Sequence, residues 1–278
     1  MAHAPHALAG FSFPLEVFKF YFGLIEAAEA GSGHGLAPEQ ETRPEPSLGG
    51  KLLWAGELDS PGRAIVVAGN IAGAATLSAT ADIDAQKQAV RDGIVDFLVT
   101  SLDEALRILK NEVRKRQTVA VCVGAAFEVV ERKMVERGVQ PDLFREGLIA
   151  ASQRSMAQRE SAGDPNLDQV GMEVLVIWRV ETAPALWLPK LDAMALACLE
   201  SEDGFRRRWI RLFPRYVGRL GHGAHLLLGN REFAASFVER VREQVRLGVL
   251  AFQGQIQVSY EGGNDEYNFA LPKPNLAG

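Results

Sequence analysis

The 278-residue chain has little cysteine, no excess of basic charge and no long apolar run, and each shortage removes a class of function. Two cysteines, Cys122 and Cys198, are too few and too scattered for a disulfide framework or a metal cluster, and they suit a reducing cytoplasm. Lys and Arg total 30 against 35 Asp and Glu, a formal net charge of −5, so global electrostatics give no reason to expect a nucleic-acid partner. No apolar stretch reaches the ~20 residues of a membrane span, so no membrane association is expected. The opening MAHAPHALAGFSF has neither a basic n-region nor a clean apolar core, so no secretory signal is expected and the chain is placed in the cytoplasm. Hydrophobic content of 47% and charged content of 23% leave an ordinary globular chain, long enough for one or two domains.

What is present is an alternation of helix and strand signals. Pro14 to Glu29 reads as a first helix, with Leu15, Phe18, Phe22 and Ile25 making an apolar face. So many phenylalanines predict packing on another surface, its own sheet or a partner subunit. Residues 31–50 are rich in Gly, Pro and Glu and read as a linker. From Lys51 an apolar run ends at Gly56. Ser60-Pro61 then opens a helix, Ser60 as the cap and Pro61 with a preset φ at the first helical position. Behind it Ala64, Ala68, Ala72, Gly69 and Gly73 recur at helical spacing, which lets that helix lie very close to a sheet.

Phe97-Leu98-Val99 reads as a strand end, Ser101 with Glu104 as a capping box, and Thr118 to Val123 as a buried strand. Phe127, Val130 and Met134 stripe a helix that Gly138 ends. Gln153 to Asp168 is polar and turn-rich, a soft boundary. Beyond it Val174–Val180, Leu226–Leu228 and Ile256–Tyr260 read as strands, and Leu186–Glu200, Phe205–Arg219 and the stretch after Asn230 as helices. The expected fold is α/β: a Rossmann-like, mostly parallel sheet flanked by helices, with an additional C-terminal α/β portion. The expected divisions are 1–47 (helix and linker), 48–160 (Rossmann-type domain) and 170–278 (an extension of the sheet or a second small domain).

A helix N-terminus just past the carboxyl end of a strand is where a phosphate or another small anion can sit. That makes Gly56, Ser60, Gly62 and Arg63 candidate binding residues. Cys122, near the end of a buried strand, reads as a core cysteine, since no histidine lies within sequence reach to activate it. His222 and His225 in GHGAH could share a cation, but no third or fourth ligand is signalled, so no metal is expected. His34 falls in the linker, and His3 and His6 near the N-terminus. Arg207, Arg211, Arg215 and Arg219 recur every four residues beside Arg206 and Arg208, opposite Trp209, Phe213, Tyr216 and Val217, with Pro214 able to kink the helix. The plain interpretation is a solvated cationic face with its aromatics in the core. The functional alternative is an acidic partner: a carboxylate or phosphate ligand, an anionic surface, or the acidic side of a second subunit.

Four phrases, LGGKLLWAG, AGAATLSATAD, VTSLDEAL and ERGVQPDLF, resemble in order and spacing the NAD-binding Rossmann-like domain of urocanase (urocanate hydratase) over roughly residues 48–144. The resemblance implies NAD+ as cofactor, which in that family acts as an electrophile on the imidazole of urocanate so that water can add to the ring. It also implies an acidic residue at the end of the second strand for ribose hydroxyls. That position falls on Thr80, with Asp82 two residues on as a substitute.

The departures are as informative. The glycine-dense turn by which the family approaches the pyrophosphate is replaced by Glu57-Leu58-Asp59-Ser60-Pro61-Gly62-Arg63-Ala64. Glu57 and Asp59 set negative charge where phosphates would lie, and repulsion is expected to win unless Arg63 or an arginine of the 206–219 helix folds over the loop. After RGVQPD the chain departs into Leu143-Phe144-Arg145-Glu146-Gly147, and the family's core domain has no recognisable counterpart in residues 170–278.

The expected function is therefore a urocanase-like protein that has lost urocanate hydration and binds a nucleotide or small anionic ligand weakly if at all. Its candidate cofactor-binding residues are Gly56, Ser60, Gly62, Arg63, Thr80 and Asp82, and no catalytic residue is assigned. The alternative is an oligomeric interaction protein built on the first helix and the arginine helix. A third is urocanate hydratase using NAD+, with a partner chain supplying the core. A homo-oligomer is expected, with neither nucleic acid nor membrane as partner. The loop Glu57 to Arg63 discriminates: wedged shut by side chains, it argues against a nucleotide.

Overall fold

The computed structural model describes residues 12–31, 47–150, 174–217, 221, 223–260 and 263–270. Most of the expected linker, the polar boundary at 153–168, and His3, His6, His34, Arg219 and His222 lie outside the described residues. The chain divides into two compact units, residues 1–162 and 163–278.

In unit 1, five short strands form one sheet: β1 (Leu52–Glu57), β2 (Ala75–Ala79), β3 (Phe97–Val99), β4 (Val119–Val123) and β5 (Leu143–Phe144). Their order is β3-β4-β2-β1-β5, and every neighbouring pair is parallel. β2 and β4 are buried at every residue, as strands covered on both faces must be. The covers are the crossover helices α2 (Ser60–Ala72), α3 (Ile83–Arg91), α4 (Leu102–Lys115) and α5 (Phe127–Glu136); α6, described over 145–150, follows β5.

The steps β1→β2 and β2→β3 run towards one edge, and the next two run back. Right-handed crossovers therefore put α2 and α3 on one face and α4 and α5 on the other. On the second face Trp54, Leu77 and Val121 pack with Leu106, Leu109 and Met134. On the first, the small residues of α2 act as their spacing predicts. A Cβ on Gly69 would lie 2.6 Å from Thr76 Oγ1 and 2.8 Å from Leu53 Cδ2. The phenylalanine-rich α1 (Ser12–Gly31) packs on α2, with Val17, Phe18, Tyr21 and Leu24 fully buried.

Unit 2 has its own sheet of β6 (Val174–Val180), β7 (Ala224–Gly229), β8 (Gly254–Tyr260) and β9 (Gly263–Phe269), in the order β7-β6-β8-β9. All its pairings are antiparallel. The choice left open by the sequence thus goes to a separate sheet and not to an extension of the first. One reason is local: Tyr260 pairs with Gly263, and a two-residue connection can only reverse the chain. Helices α7 (Pro184–Ala197), α8 (Gly204–Tyr216) and α9 (Arg231–Arg246) pack against this sheet. Pro214 sits inside α8 without ending it. No helix among the described residues is long and apolar enough to cross a membrane.

Candidate functional site

The carboxyl ends of β1 and β2 carry the candidate residues, because Glu57 and Ala79 are partners across those strands. β1 ends irregularly between Trp54 and Gly56, and Gly56 takes φ +71°, a left-handed conformation that favours glycine. The buried Leu58 then donates its N–H to the Ala79 carbonyl at 2.9 Å, and α2 begins at once. Its cap is Asp59, one residue before the Ser60 expected from the sequence: Asp59 Oδ1 accepts the Gly62 N–H at 2.8 Å. Ser60 is the first helical residue and stands exposed. The shift follows from crowding. A Cβ at position 62 would run into the Glu57 carbonyl oxygen, so strand end and helix start are packed too tightly for a longer approach.

Over this corner lies Arg145. β5 pairs with β1 through Leu53–Leu143 and Trp54–Phe144, which delivers Arg145 at the start of α6. Its Nη1 donates to the Glu57 carbonyl and to Asp59 Oδ1, both at 2.9 Å, and Nη2 donates to Asp59 Oδ2 at 2.7 Å. Its Cδ lies 3.1 Å from where a Gly56 Cβ would be. Burial pushes the Asp59 carboxyl up, but the Arg145 guanidinium and the Gly62 N–H outweigh it and hold the group below its ordinary value. The arginine that answers the loop's negative charge within unit 1 is thus Arg145 and not Arg63, which pairs with Asp92.

Residues 36–150 match the family described as the urocanase Rossmann-like domain. This part of the chain is similar to the Rossmann-like domain of urocanase. The match covers less than half of the 278 residues and lies within unit 1.

An NAD+ pyrophosphate in the urocanase-like domain would call on the first N–H groups of α2. As arranged, these groups do not fit one. Pro61 has no N–H, the Gly62 N–H is spent on Asp59 Oδ1, and the Arg63 N–H donates to the Asp59 carbonyl at 2.9 Å. The second-strand candidates are also engaged. Thr80 is buried, its Oγ1 accepting the Asp82 N–H at 3.3 Å and its carbonyl accepting Gln86 Nε2 at 2.8 Å. Asp82 is exposed and caps α3, with Oδ1 accepting the N–H groups of Asp84 at 2.8 Å and Ala85 at 3.2 Å. Gly56, Ser60, Gly62, Thr80 and Asp82 are brought to the carboxyl ends of the neighbouring strands β1 and β2, while the Arg63 side chain turns to Asp92. The sequence reasoning missed Arg145 as a member of this corner. Its only signal was the departure of LFREG from the family pattern.

The remaining candidates are held structurally. Cys122 is buried on β4 beside Ser78 of β2, and burial pushes its thiol up to about 11, so it is protonated at neutral pH. In unit 2, His225 Nδ1 lies 2.8 Å from Asp192 Oδ1, and the same oxygen accepts the Trp178 Nε1–H at 3.0 Å. No group of three or more His, Cys, Asp or Glu side chains among the described residues is placed to hold a metal ion. On α8, Trp209, Ile210 and Phe213 face inward. Its arginines are partly committed to the unit itself: Arg206 Nε donates to the Leu228 carbonyl at 2.8 Å, and Arg207 Nη1 to those of Leu196 at 3.0 Å and Leu199 at 3.3 Å.

Proposed function

We propose that this protein is a non-canonical relative of urocanase that has lost urocanate hydration and binds a nucleotide or other small anion weakly. The observation that carries the reading is the Asp59–Arg145 corner. A carboxylate of the chain itself takes the helix N-terminal N–H that a phosphate would use, and a guanidinium of the chain itself neutralises that carboxylate. A ligand phosphate must displace Asp59 from both partners before it gains anything. Glu57, whose carbonyl is also held by Arg145, adds a second carboxylate to the same loop.

The test has two arms. Urocanate should keep its ultraviolet absorbance when incubated with the protein, with or without added NAD+. In calorimetry, wild-type protein should bind NAD+ or ADP-ribose weakly. Asp59→Gly, which releases both the Gly62 N–H and Arg145, should bind more tightly. Enzyme-like loss of urocanate overturns the first part of the reading. Tight binding by the wild type, or weaker binding by Asp59→Gly, overturns the second.

A further inference from the structure

β3 closes one edge of the unit 1 sheet, and its side chains there are unusually apolar: Phe97 is 49% and Leu98 43% exposed, one on each face. An edge strand of this kind is a template for another strand, and natural sheets usually guard it with charge. Beside it, on the α4 face, runs a groove of about 850 Å³ whose lining includes Phe97, Ile108 and Val119 with Arg107, Asn111 and Glu112. The groove lies on the flank of α4 turned away from α5. The other flank is marked by the Asp103–Arg137 ion pair to the end of α5, and Ile108 and Glu112 fall about half a turn round from Asp103.

We propose that a second copy of this chain docks on this edge about a two-fold axis, with β3 antiparallel to β3 and α4 antiparallel to α4. The charges select this occupant. In a two-fold interface, if residue i of one copy meets residue j of the other, then j also meets i. Arg107 and Glu112 are opposite in sign and both line the groove, so an axis between them sets each Arg107 against the partner's Glu112, twice over. Arg107 enters no ion pair or hydrogen bond among the described residues. Glu112 is pre-positioned as the acceptor by Asn111 Nδ2 at 2.8 Å and Lys115 Nζ at 2.9 Å. An unrelated partner would have to present both charges in the right order, whereas a second copy does so by symmetry. Phe97 and Ile108 from both copies fill the space between. The inference does not depend on any ligand at the β1–α2 corner.

Sedimentation velocity of the full chain, from micromolar to hundreds of micromolar, tests it. Wild-type protein should dimerise with rising concentration. Arg107→Glu and Glu112→Arg should each weaken the dimer roughly tenfold or more, because each creates two like-charge contacts. The combined Arg107→Glu/Glu112→Arg protein should recover it. Phe97→Lys should leave the chain monomeric, with circular dichroism confirming the fold; should that variant not fold, the charge-reversal set decides alone. A wild type that stays monomeric across the range overturns the proposal. So does a dimer indifferent to Phe97→Lys, or a double reversal that fails to rescue.

Discussion

The two units handle buried polar groups in opposite ways. Unit 1 keeps its ion pairs at element ends and on helix surfaces and leaves the interior to neutral side chains, of which Asn70 Oδ1 and Thr76 Oγ1 find no partner among the described residues. Its Asp59–Arg145 pair is half-exposed on the carboxylate side. Unit 2 carries a carboxylate inside its core, where Asp192 is 6% exposed and joins Trp178 to His225, a histidine flanked by Phe213 at 4.8 Å. Water can replace part of what Asp59 loses if its partner goes. Nothing replaces Asp192. The first arrangement can be altered cheaply and can answer to pH, while the second ties helix to sheet.

The largest expected effect is in unit 2. Asp192→Ala leaves the Trp178 and His225 ring nitrogens without their acceptor in the core and should cost about 3–5 kcal/mol, read by chemical denaturation. A loss below ~1 kcal/mol would show that water reaches the network and would erase the contrast between the units. Next is Gly69→Ala on α2, where the new methyl meets Thr76 and Leu53 and should cost about 1–3 kcal/mol. A neutral result would mean that α2 stands off the sheet.

Arg145→Ala should cost less, about 1 kcal/mol, because the Asp59 end of the pair is solvent-screened. Its pH signature is more telling. The Asp59 carboxyl sits below its ordinary value when folded, so the stability it contributes is complete above the unfolded value and is lost as pH falls through the folded one. Wild-type stability should therefore drop on acidification through that range, and Arg145→Ala should flatten this part of the curve. An unchanged profile would separate Arg145 from the titration of Asp59. The smallest effect is expected for Lys51→Ala. Its pair with Asp142 is exposed, and Asp142 keeps the Leu52 N–H at 2.8 Å, so the change should stay within about 0–1 kcal/mol in thermal unfolding.

Much of this was legible before any coordinates. In unit 1, α1, β1, β3, α4, β4 and α5 fell where periodicity and caps placed them, whereas α3 and β5 had not been read; Ser101 does cap α4, its Oγ accepting the Glu104 N–H at 3.3 Å. The start of α2 was read one residue late, because Asp59 and Ser60 are comparable caps and only the squeeze between Gly62 and the Glu57 carbonyl separates them. The pairing of Asp192 with His225, 33 positions apart, left no trace in either residue's neighbours.

By itself the sequence determined the periods, the caps and the close packing of α2, since those depend on residues within a turn or two of each other. Its four ordered phrases also carried the urocanase resemblance that the family match bears out. Only the tertiary structure decided which strands became neighbours, that unit 2 would form a separate antiparallel sheet, and that Arg145 would reach Asp59 across 86 positions. Those outcomes depend on which distant surfaces bury each other, and a carboxylate in a loop reads the same in sequence whether its cation arrives or not.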